Sequence, residues 1–161
     1  MEMSKLILAA LRALLLLSAA VVLGTSVDLY QFLPKYQDAC NAVYEDKLCD
    51  LQGLIPALGY GCFVGALGLL AALAGIVATF IDAIPTIVVL GLEAFSGVVY
   101  LSGGLALSII LSKSTFDNAS GSRYTEIKAD TAFQFIGFIV TMVVVGLGFV
   151  WRGRGGRHSA V

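Results

Sequence analysis

The chain has 161 residues, 58% hydrophobic and only 13% charged, against about 45–50% and about 25% in an ordinary soluble domain. A net charge of −1 gives no electrostatic claim on nucleic acid, and the one His and three Cys fall into no metal-ligand or nucleophile spacing. The composition is that of a membrane protein, with too little water-facing chain for a second domain, so residues 1–161 read as one domain.

After a short polar start, residues 6–27 form an apolar run long enough to span, since about 20 residues cross the hydrocarbon core. Its one charge is Arg12. The alternative for residues 1–24 is a secretory signal, with Lys5 and Arg12 as its basic start. Residues 28–53 mix acidic residues with Tyr30, Phe32, Tyr36 and Tyr44, and read as a first extracellular loop lying over the bilayer surface. Pro34 is expected to interrupt any long helix there. Cys40 and Cys49 share this loop, and paired cysteines belong to an oxidising compartment. A Cys40–Cys49 disulfide is therefore expected, contributing about 2–3 kcal/mol by restricting the unfolded loop. Non-reducing peptide mapping checks it, and alkylation of both thiols without prior reduction would rule it out.

Residues 54–81 carry no charge and form the second span. Gly61 and Gly65 make a G-x-x-x-G pair, and Gly68 is a further packing glycine in this span; small residues let helix backbones approach closely in lipid. Packing within the bundle is the favoured use of that face, dimerisation the other. A tight turn near Asp82 makes spans two and three an antiparallel hairpin. Residues 83–112 are the third span, with one charge, Glu93, and with Gly97, Gly103 and Gly104 as its small-residue surface. Residues 113–130, rich in Ser, Gly and Asn, form a second extracellular loop; Asn118 heads an N-x-S sequon and is a candidate glycosylation site. Residues 131–151 are the fourth span, closed by Trp151 as an interfacial anchor, and residues 152–161 are a basic, glycine-rich tail.

The expected fold is all-α: an integral membrane four-helix bundle, antiparallel, up-down-up-down. Arg152, Arg154 and Arg157 follow directly on a span, which favours a cytoplasmic C-terminus. Four spans then place the N-terminus on the same side, with the cysteines and the sequon opposite.

Charges at membrane depth are expensive and need partners or a watery cavity. Arg12 lies six residues past Leu6, about 9 Å into the membrane, and Glu93 seven residues past Thr86, about 10 Å in. Spans one and three run in the same direction, so the two charges share a leaflet and are expected to form an intramembrane ion pair. The bland alternative is that Arg12 snorkels to the near interface and Glu93 reaches water. Ser18, Ser96, Ser102 and Ser108 have no His or Lys nearby in sequence, so no catalytic site and no cofactor are expected. A transporter would show more intramembrane polar groups, broken helices or repeats.

These features resemble the MARVEL-domain tetraspan proteins, above all the fungal non-classical export protein branch, and the related plant Casparian strip membrane proteins. The resemblance covers residues 5–151: four spans, a short turn between spans two and three, Arg12 in span one, Glu93 followed by the small-residue run SGVVYLSGGLAL, and the aromatic opening AFQFIGFIV of span four. The first loop is longer than in that branch, and its cysteine pair is similar to the first loop of claudins, whose Gly-Leu-Trp signature it lacks. The resemblance implies a non-enzymatic protein that organises membrane, in the plasma membrane or the secretory pathway. Its implied partners are lipids, with sterol or sphingolipid as candidates, and itself or a larger integral membrane protein. The rival function is a small accessory subunit of a membrane enzyme or transporter.

Overall fold

The computed structural model describes residues 2–41, 53–80, 85–113 and 122–155. They form four helices: α1 (Glu2–Asn41), α2 (Leu54–Phe80), α3 (Thr86–Lys113) and α4 (Ser122–Gly155). There is no strand among the described residues. Each helix is long and apolar enough to cross a membrane; the apolar segments run Leu6–Lys35, Leu54–Phe80, Ile87–Ser112 and Thr125–Val150. The chain therefore folds as a four-helix membrane bundle.

Each helix packs chiefly on two neighbours: α1 on α2 and α4, α3 on α2 and α4. Three apolar layers fill the interior. At one end Leu29 and Leu33 of α1 meet Leu54 and Leu58 of α2, Leu107 of α3 and Ile127 of α4. In the middle, Ala19, Val22, Val64, Val99 and Tyr100 pack together. At the other end Leu15 meets Ala72 and Val144. Large apolar side chains such as Leu17, Phe63, Leu70, Phe95, Val98 and Ile139 are exposed on the outside of the bundle. That is the side that faces acyl chains.

Two features differ from the sequence reading. First, α1 does not stop at residue 27 or break at Pro34; it continues through Pro34 to Asn41, so the front of the expected first loop is helical. A proline inside a helix removes one backbone hydrogen bond and costs about 3 kcal/mol. Leu29 and Leu33, just before that defect, are buried against residues of the three other helices and hold this part of α1 on the bundle. Second, α4 begins at Ser122, nine residues before the expected start of span four, and takes in the C-terminal half of the expected second loop. The turn near Asp82, the second cysteine of the expected disulfide (Cys49) and the sequon Asn118 lie outside the described residues, as does the side chain of Cys40. Cys62, in α2, is a half-buried free thiol.

The inward face of α2 is a stripe of small residues, Gly61, Gly65, Gly68, Ala72 and Gly75, spaced alternately by four and three. Such a face removes side-chain bulk along one line and lets neighbours approach to backbone contact. A Cβ at Gly65 would lie 2.7 Å from the Leu23 nitrogen and 2.8 Å from its Cα, so α1 and α2 touch backbone to backbone here. The Tyr100 ring is slotted between Gly68 of α2 and Gly137 of α4, and a Cβ at either would collide with it. Gly61 faces Ser26 and Gln134, Gly103 faces Gln134 and Val64, and Gly97 and Gly104 face Thr141 and Phe135 of α4. All six glycines picked from the sequence point at other helices of the same bundle.

Candidate functional site

The chemistry of this chain is concentrated in a polar line inside the bundle. Inward positions on α1, α3 and α4 recur every three or four residues, as a helix facing a core requires. On α3 these positions hold Glu93, Ser96 and Tyr100; on α4 they hold Asp130, Gln134, Gly137 and Thr141. The polar side chains among them are all buried.

Arg12 and Glu93 form the first node. Arg12 Nε donates to Glu93 Oε1 at 2.7 Å, with both side chains under 5% exposed. The two residues sit on α1 and α3, which lie on a diagonal of the bundle, so the pair crosses its interior. Arg12 Nη1 also donates to the Gly75 carbonyl at 2.6 Å and to the Thr79 hydroxyl. The Thr79 hydroxyl in turn bonds the same Gly75 carbonyl at 2.9 Å. One guanidinium thus ties together α1, α2 and α3, using the fixed fork of donors that an arginine offers. Gly75 makes room for this: a Cβ there would lie 2.5 Å from Glu93 Oε1 and 2.6 Å from Arg12 Nε. The bland alternative, an arginine snorkelling outward, does not describe this geometry.

Asp130 forms the second node; it stands in α4 and not in the loop expected over residues 113–130. It is fully buried on α4 and lies within the apolar fourth segment. Its Oδ1 accepts from the Thr25 hydroxyl at 2.8 Å, and its Oδ2 from the Ser26 hydroxyl at 3.0 Å and from Gln134 Nε2 at 3.3 Å. Thr25 and Ser26 are on α1, so this node ties α1 to α4. Arg12 and Glu93 are therefore not the only charged residues inside the apolar segments. The signal for Asp130 was present in the sequence: Asp130, Gln134 and Thr141 continue a stripe of helical spacing into the apolar run.

Among the described residues no group of His, Cys, Asp and Glu could hold a metal ion. Ser18 donates to the Leu15 carbonyl at 2.9 Å, and Ser102 bonds the Val99 carbonyl and the Tyr60 hydroxyl. What the arrangement does chemically is join helices: one node holds α1, α2 and α3, the other α1 and α4.

A family model described as MARVEL, membrane-associating domain, matches residues 5–147. A search of curated proteins and a search of solved structures each found no match. The match takes in α2 and α3, most of α1 and α4, and both polar nodes. The chain belongs to the MARVEL family of membrane-associating domains and is an integral membrane protein.

Proposed function

We propose that this protein is a non-enzymatic membrane organiser, which associates laterally with copies of itself or with partner proteins and lipids in plasma-membrane domains or the secretory pathway. The observation that carries the reading is how the polar groups are distributed. Arg12 bonds Glu93, and Asp130 bonds Thr25, Ser26 and Gln134, inside the bundle, while the outside offers apolar side chains to whatever surrounds it. Such a surface suits acyl chains, a sterol or sphingolipid, and neighbouring apolar helices. The interior glycines are not part of it, so lateral contact runs through large side chains such as Phe63, Leu70, Phe95 and Val98. The arginines at 152, 154 and 157, directly after a span, support a cytoplasmic side for both termini. The kinship with the fungal export-protein branch, or with claudins through the first loop, is part of this reading.

Native electrophoresis in mild detergent tests it. A ladder or ring built from this one chain is expected. A fixed complex with a larger enzyme or transporter would support the accessory-subunit reading instead, and a lone monomer at all concentrations would contradict both.

A further inference from the structure

Two buried polar atoms near the ion pair have no hydrogen-bond partner among the described residues: Glu93 Oε2 and the Tyr100 hydroxyl. Each residue is 1% exposed. An unpaired buried donor or acceptor is expensive, and native interiors seldom tolerate one without a water or an ion. Here both residues line the same small cavity, which Ser96 and Thr141 also border. The cavity offers about 10 Å³ to the centre of a water molecule, close to the roughly 10–15 Å³ that one water needs. Its polar lining comes from Glu93, Ser96 and Tyr100, which share one face of α3, and from Thr141 on α4.

We propose that this cavity is a binding site for one structural water, which bridges Glu93 and Tyr100 in the middle of the bundle. The water accepts from the Tyr100 hydroxyl and donates to Glu93 Oε2. Thr141 gives its own proton to the Gly137 carbonyl at 2.7 Å, so its oxygen is left to accept the water's second hydrogen. A neutral ligand is favoured over a cation, because Arg12 already balances the Glu93 carboxylate. The water extends the Arg12 node from three helices to four. Arg12 holds α1, Gly75 and Thr79 hold α2, Glu93 and Tyr100 hold α3, and Thr141 brings in α4.

Tyr100→Phe separates a wet site from a dry one by the sign of its effect. If the hydroxyl is bonded to water, its loss strands a hydrogen bond, and Tm in detergent falls by about 2–4 °C. If the cavity is dry, deleting an unpaired buried hydroxyl leaves Tm unchanged or raises it, and the proposal is overturned. Infrared difference spectroscopy on the full chain, comparing H₂¹⁶O with H₂¹⁸O, gives a second reading that does not depend on stability. A narrow isotope-sensitive O–H band, present in the native chain and lost in Tyr100→Phe, is expected. A band that persists in the variant, or no such band in the native chain, contradicts a water held at this hydroxyl.

Discussion

Arg12→Leu and Glu93→Leu, made singly, are expected to destabilise the bundle by about 3–5 kcal/mol each, the general cost of stranding one member of a buried ion pair. The reason is geometric as well as electrostatic. Arg12 donates to groups on α2 and α3 at once, so its loss unties both and leaves the Glu93 carboxylate at membrane depth without a cation. Loss of Glu93 leaves the guanidinium with only the Gly75 carbonyl and the Thr79 hydroxyl, two neutral acceptors. Arg12→Lys should also lose stability, because one ammonium cannot reproduce a fork that reaches Glu93, Gly75 and Thr79 from two nitrogens. Thermal unfolding in detergent, read alongside folded yield from membranes, measures all three. Single variants as stable as the native chain would mean that the pair contributes nothing.

The second large effect is expected at Gly65. A Cβ there would meet backbone atoms of Leu23, and backbone inside a packed helix cannot turn aside as a side-chain tip can. Gly65→Ala should push α1 and α2 apart and cost about 1–3 kcal/mol as overpacking. Gly24→Ala, on α1 with open space around its Cβ position, is the control and should be neutral or slightly stabilising, since alanine favours helix over glycine. Thermal unfolding of the two variants side by side checks this. Equal stability would show that the α1–α2 contact is looser than described.

The bundle was legible in the sequence because four apolar runs of spanning length are a signal that tertiary context cannot easily override. The Arg12–Glu93 contact was legible for a related reason: opposite charges inside apolar runs, at like depth and on helices of like direction, have few other partners. What the guanidinium does on α2 was not legible. Arg12 bonds a backbone carbonyl and a threonine there, and a helix apolar on every side does not reveal which face turns inward. The alternation of four and three from Gly61 to Gly75 held that answer, but only with the whole stripe taken together. Asp130 was misplaced because the fourth span was started where hydrophobic residues become continuous. The helix starts at Ser122 instead, and its first turns are amphipathic, with Ile127 and Asp130 inward. Pro34 misled for the opposite reason. A local breaker was read without the long-range packing of Leu29 and Leu33 that outweighs it.

Arg12 and Glu93 act as one unit across the interior of the bundle, and a double-mutant cycle on thermal stability measures that coupling. The pair Arg12→Leu with Glu93→Leu has no charge left to strand, so the double variant should recover much of what either single variant loses. Exchanging the two, Arg12→Glu with Glu93→Arg, should recover less, because the Gly75 carbonyl and the Thr79 hydroxyl are arranged around an arginine that reaches in from α1. A double variant more stable than the sum of the two single losses is the predicted result. Losses that simply add would contradict it and show that the two residues do not act together.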